Sequence, residues 1–126
     1  MSLKEHLTAV QTLLSETPFI TASSLLYDER PPAGGFTKGT LLFIDGSQLD
    51  FKEFVAVHPT LQVVKYAYNY RKEGMLIFRY DNANDPAAKN LSTFPSHKHI
   101  PSGIISAERP SLEEVLHEIV SKMNIL

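Results

Sequence analysis

The chain contains no cysteine. That excludes disulfide staples and thiolate zinc sites, and it fits a cytoplasmic protein without requiring one. Positive charge is not in excess either: 12 Lys and Arg stand against 14 Asp and Glu, a formal net charge of -2. There is no global basic footprint, so any contact with nucleic acid must come from a local patch. No apolar run is long enough to span a bilayer. The opening MSLKEHLTAV lacks the basic start and apolar stretch of a signal peptide. Internal repeats and low-complexity segments are also missing.

What is present suits one domain, 1–126. A chain of 126 residues buries about two-thirds of its unfolded surface and needs no staple. Ser2 and Glu5 have capping-box spacing, and Leu3, Leu7, Val10 and Leu14 follow at helical intervals. This predicts a helix over 2–15, ended by Pro18. Ser111 and Glu114 repeat the capping signal after Pro110. Leu112, Val115, Leu116, Ile119 and Met123 then predict a closing helix over 112–123.

Between the helices the pattern is that of strands. FITASSLLYDE reads as a first strand and RPPAGG (30–35) as a loop. GTLLFIDGSQLDFKEFVAV reads as a hairpin turning near Asp45-Gly46-Ser47-Gln48. Pairing Ile44 with Leu49 and Leu42 with Phe51 sets apolar residues opposite each other, and Glu53 then opposes Thr40. QVVKYAYNYRKEGMLIFRYD reads as a second hairpin. A three-residue loop, Lys72-Glu73-Gly74, pairs Tyr70 with Leu76, Tyr68 with Phe78 and Tyr66 with Tyr80. It leaves Lys65, Asn69, Arg71, Arg79 and Asp81 on the other face, with Lys65 opposite Asp81. The expected fold is α+β: an antiparallel sheet of about five strands with N-terminal and C-terminal helices packed on one face.

Several polar residues stand out. His97 and His99 lie between Pro95 and Pro101, after about a dozen turn-prone residues. An H-x-H pair in extended chain points both rings to one side. That suits an acid and a base flanking a phosphate, or a metal with Asp81 as third ligand if the loop folds back. A structural loop that happens to contain histidines is the competing reading. Arg79 at a strand end could hold a phosphate through its fork of donors, or pair with a neighbouring charge. Glu53 is a carboxylate on an apolar strand face and must find a partner. It reads as half of a buried ion pair with Arg79 or Lys65, or as a general base. Tyr66, Tyr68 and Tyr70 fit the core better than an RNA-stacking platform. Lys65, Arg71 and Arg79, on the opposite face, are the better electrostatic candidates.

VKYAYNY, LIFRYDN and STFPSHKHIP, with DGSQLDFKEFV upstream and RPSLEEVLHEI downstream, together resemble the TumE-like toxins of toxin–antitoxin pairs. The similarity runs from about Leu41 to Ile119. It implies a toxin, a helix-turn-helix antitoxin as partner and an RNA-related target. The pattern departs in two places: family members often carry a histidine directly before H-K-H and more after D-N-A. Ser96 and Asn84-Asp85 stand there, which weakens a metal reading.

Resemblance and residues combine into three expectations. The first is a cytoplasmic toxin that cleaves RNA by metal-independent acid–base chemistry, with His97, His99, Arg79 and Glu53 catalytic and Lys65, Arg71 and Asp81 binding substrate. The second is a non-catalytic module that docks a helix-turn-helix partner. The third is a divalent-metal phosphoesterase using His97, His99 and Asp81. Exposed edge strands make a homodimer a reasonable expectation.

Overall fold

A computed structural model describes residues 2–30 and 34–123. Helix α1 (Leu3–Glu16) leads into strands β1 (Ile20–Arg30), β2 (Gly34–Phe43), β3 (Ser47–Ala56), β4 (Gln62–Lys72) and β5 (Met75–Asp81). A short 3-10 turn (Pro86–Ala88), β6 (His97–Ile100), β7 (Gly103–Ser106) and helix α2 (Leu112–Lys122) complete the chain. All seven strands form one antiparallel meander in sequence order.

Both helices begin where the capping boxes place them. Glu5 N–H donates to Ser2 Oγ and Ser2 N–H donates back to Glu5 Oε1, each at 3.1 Å. The Ser111–Glu114 pair does the same at 2.9 and 3.1 Å. Each box satisfies two backbone donors that a helix start leaves open. The apolar stripes of the helices lie on one face of the sheet. Val10, Leu112, Val115, Leu116, Ile119 and Met123 pack there against Leu41, Phe43, Leu49, Phe51, Tyr66, Tyr68, Tyr70 and Phe78. The three tyrosines are core residues, each 5% exposed or less. Each fully buried aromatic stabilises by about 1.5–3 kcal/mol.

The sheet has seven strands, where the sequence suggested about five. The two extra strands, β6 and β7, are four residues each, and the first is His-Lys-His-Ile. Gly34 and Gly35, expected in a loop, open β2 instead, while residues 31–33 of that loop lie outside the described residues. Glycine is required at 34, because a Cβ there would strike the Val55 carbonyl.

Both hairpin registers differ from expectation. In β2–β3, Leu41 faces Leu49, Gly39 faces Phe51 and Thr37 faces Glu53. Leu41 and Phe43 point inward, and Leu42 and Ile44 outward. The cause is at the turn. Gly46, with φ at +85°, bonds back to the Phe43 carbonyl, and Ile44 N–H leaves the hairpin to donate to Phe19 O at 2.8 Å. In β4–β5 the turn is two residues, Glu73 (φ 54°) and Gly74 (φ 75°), both left-handed as a type I′ turn requires. A bulge between Tyr70 and Arg71 then shifts the ladder, so Tyr70 faces Phe78, Tyr68 faces Tyr80 and Ala67, not Lys65, faces Asp81. The bulge restores the separation of apolar and polar faces that a two-residue turn alone would have mixed.

Candidate functional site

The helix-free face of the sheet gathers the charged side chains. On β5, Arg79 and Asp81 point to it. The chain after Asp81 folds back through a series of local hydrogen bonds. Asp81 Oδ1 accepts from Ala83 N–H at 2.9 Å, and Asn82 bridges to β4 through Tyr66 N–H at 3.2 Å and Val64 O at 3.1 Å. Asp85 caps the 3-10 turn through Ala87 N–H at 2.9 Å. Thr93 Oγ1 donates to Ser96 O at 2.7 Å and accepts Ala107 N–H at 3.0 Å. This return path lays β6 against β5, with His99 opposite Arg79 and His97 opposite Asp81.

Alternation along β6 puts both imidazoles on the open face and Lys98 on the other. There Lys98 bonds Glu118 of α2 at 2.8 Å and lies over the Phe78 and Tyr80 rings. His97 Nε2 is 3.1 Å from Asp81 Oδ1 and 3.1 Å from His99 Nε2. His99 Nε2 is 3.6 Å from Asp81 Oδ2 and 4.0 Å from Asp85 Oδ2. Arg79 Nε donates to Asp81 Oδ2 at 2.8 Å. Asp81 and His97 are buried, and the His99 side chain is 26% exposed.

The donor and acceptor roles follow from one contact. His97 Nδ1 is 2.7 Å from the Pro95 carbonyl, which can only accept, so Nδ1 carries the proton. In neutral His97 the other nitrogen, Nε2, is then a lone pair. It faces a carboxylate oxygen and a second imidazole nitrogen. His99 can supply one proton between the two nitrogens, but the His97–Asp81 contact still sets acceptor against acceptor. A metal ion held between the three side chains would relieve that contact. The spacings suit a metal: ligands about 2.0–2.1 Å from a tetrahedral ion lie roughly 3.3 Å apart. The Nδ1–H bond to a backbone carbonyl is also the arrangement that orients metal-bound histidines.

The structure brings together Arg79, Asp81, His97 and His99 from the residues singled out in the sequence. Lys65 is exposed on the same face and lines the adjoining groove. Arg71 is also on that face but pairs with Asp50 at 3.0 Å, near the hairpin end. Glu53 is elsewhere. It lies under the helices, with the sheet between it and the histidines, and its partners are neither Arg79 nor Lys65. It accepts from Tyr68 Oη at 2.6 Å and His6 Nε2 at 3.3 Å, with Arg109 Nη1 at 3.8 Å.

Three further neighbours, which no sequence motif marks, line the same groove: Lys52, Phe54 and Phe94. Alternation with Phe51, Glu53 and Val55 would have placed Lys52 and Phe54 on the open face. Asp85 Oδ2 lies at the edge of the cluster, 4.0 Å from His99 Nε2. Among the described residues no helix is long and apolar enough to cross a membrane.

No curated protein and no solved structure matches the chain. The family model described as Toxin TumE matches residues 10–124. The chain belongs to the TumE toxin family.

Proposed function

We propose that this toxin cleaves RNA at the Asp81–His97–His99 cluster and that the cluster works with a divalent metal ion. The observation that supports this reading is the convergence of acceptor atoms around His97 Nε2, whose partner nitrogen is committed to Pro95. Two histidines and one carboxylate, leaving open positions, are a familiar donor set for a catalytic divalent ion. Acid–base chemistry by the two histidines fits less well. His97 is fully buried, so only His99 can touch a substrate.

Asp81, His97 and His99 would hold the ion, which would supply Lewis-acid charge for a phosphate, and the remaining donors of the Arg79 fork add a second contact to that phosphate. The ribose 2′-hydroxyl attacks phosphorus: an O2′–P bond forms as the P–O5′ bond breaks, the 2′-hydroxyl gives its proton to water, and the departing O5′ takes a proton from water. No protein nucleophile is needed. The inhibitor is the helix-turn-helix antitoxin that the resemblance implies, and its support is the family membership alone.

The test is incubation of purified protein with total RNA, before and after EDTA and after adding back Mn2+ or Zn2+. Cleavage lost with EDTA and restored by metal is expected, and a 2′-deoxy oligonucleotide should resist. Cleavage unaffected by EDTA would return the chemistry to metal-free acid–base transfer. RNA left intact under every condition would favour a non-catalytic module.

A further inference from the structure

Beside the cluster the open face holds a groove of about 890 Å3. Its floor is set by register. Lys52, Ala67, Asp81 and His97 fall in one row across β3, β4, β5 and β6. The smallest side chain, Ala67, sits in the middle, so the row dips between a lysine on one side and the histidine cluster on the other. The next row runs Asp50, Asn69, Arg79, His99. Phe54 faces Lys65 across β3–β4 and packs on Phe36 with ring centroids 4.7 Å apart. Phe54 is 36% exposed and Phe94 37%, and both line the groove.

These are unusual surroundings for surface aromatics. Both rings lie on the sheet face opposite the helical core, beside Lys52 and Lys65. Among the described residues neither Lys52 nor Lys65 makes a salt bridge. A groove with unpaired lysines and exposed aromatic faces has the two features that single-stranded nucleic acid requires: charge for the backbone and plates for the bases.

We propose that this groove binds a short single-stranded segment of RNA, with bases stacked on Phe54 and Phe94 and phosphates held by Lys52, Lys65 and Arg79. The strand leads from Phe54 toward Asp81, which delivers one phosphate to the cluster. The inference deepens the nuclease reading and rests on it only for what happens at that end. A duplex is a poor occupant. It offers phosphates to the lysines but keeps its base faces covered, leaving both phenylalanines bare. Stacking also makes the groove tolerant of base sequence, since every base has a π-face.

The test measures binding apart from cleavage. A fluorescein-labelled single-stranded RNA of mixed sequence is titrated with the full chain in EDTA by fluorescence anisotropy, alongside the same sequence as a duplex. The single strand should bind more tightly. Phe54→Ala and Phe94→Ala should each weaken it by about 5- to 150-fold. Phe54→Tyr, which keeps a ring, should bind like the parent. Lys52→Ala and Lys65→Ala should each flatten the log–log salt dependence by about 0.7. Circular dichroism melts identify any variant that fails to fold. Phe94, in the loop ahead of β6, keeps the test open if Phe54→Ala misfolds.

Equal or tighter duplex binding, or phenylalanine variants that bind like the parent, would overturn the proposal. So would lysine labelling in which the antitoxin protects Lys52 and Lys65 and RNA does not, making the groove a protein interface. The two readings fail separately. Binding without cleavage keeps the groove and removes the nuclease. Cleavage indifferent to Phe54 and Phe94 keeps the nuclease and removes the groove.

Discussion

The Tyr68 hydroxyl donates to Glu53 Oε2 at 2.6 Å, deep beneath the two helices. Glu53 is 2% exposed and Tyr68 is fully buried. His6 of α1 and Arg109, just ahead of α2, close on the same carboxylate. One buried charge thus ties both ends of the chain to the middle of the sheet. Glu53→Ala removes the group that balances Arg109 and satisfies Tyr68. It should destabilise by about 1–3 kcal/mol, because the buried Tyr68 hydroxyl loses its acceptor while Arg109, a third exposed, stays hydrated. Tyr68→Phe, which removes a hydrogen bond to a charged group, should cost about 1.5–3 kcal/mol. Urea denaturation of the two variants checks both figures. A Glu53→Ala protein as stable as the parent would show that the network contributes little.

The same network sets the acid limit of stability. Burial alone would raise the Glu53 pKa, but hydrogen bonds from His6 and Tyr68, with the charges of His6 and Arg109, outweigh it. The carboxyl is held below its ordinary value of 4.5. A depressed folded pKa contributes stability that is complete above the unfolded value and is lost as pH falls through the folded one. The melting temperature should therefore drop as pH falls below 4.5. Glu53→Gln should melt lower at neutral pH and lose less on acidification. Thermal melts of parent and Gln protein across that range make the comparison, and parallel curves would remove Glu53 from the acid response.

Much of this arrangement is visible in local pattern, and the rest depends on distant partners. Period-two alternation puts Glu53 inside and Arg79 outside, and it points both histidines of H-K-H to one side. It does not name the partners of Glu53, because His6 and Arg109 arrive from the two ends of the chain. β6 and β7 escape notice because each is only four residues, too short for a strand pattern to be counted. The hairpin registers depend on single turn contacts, Ile44 with Phe19 and the left-handed Glu73. Such contacts shift a ladder without changing composition. Asp85 reaches the cluster only because its own turn folds it back.

The Glu73-Gly74 turn can be tested alone. Glu73 adopts a left-handed φ of 54° without the freedom that glycine has. Asparagine tolerates that region better, so Glu73→Asn should stabilise by up to about 1 kcal/mol. Gly74→Ala should cost about 1–2 kcal/mol, although a Cβ there meets nothing within 4 Å, so the penalty is conformational and not steric crowding. Denaturation midpoints of the two variants should move in opposite directions. Movement in the same direction would contradict a type I′ turn.

The two histidines should separate in a way that adjacent sequence does not suggest. His97 is fully buried, with Nδ1 bound to Pro95 and Nε2 inside the cluster. Its loss leaves the Pro95 carbonyl without its donor and empties a packed position. His97→Ala should cost about 1–3 kcal/mol and abolish toxicity as well. His99 is partly exposed at the groove edge, and its loss should move stability by less than about 1 kcal/mol while abolishing toxicity. Metal binding supplies the readout that stability alone cannot. Isothermal titration of Zn2+ into the parent should show one site, weakened at least about tenfold in either variant through loss of a direct ligand. His99→Ala that keeps full affinity would place the ion elsewhere. His97→Ala that stays stable and toxic would remove His97 from both the packing and the chemistry.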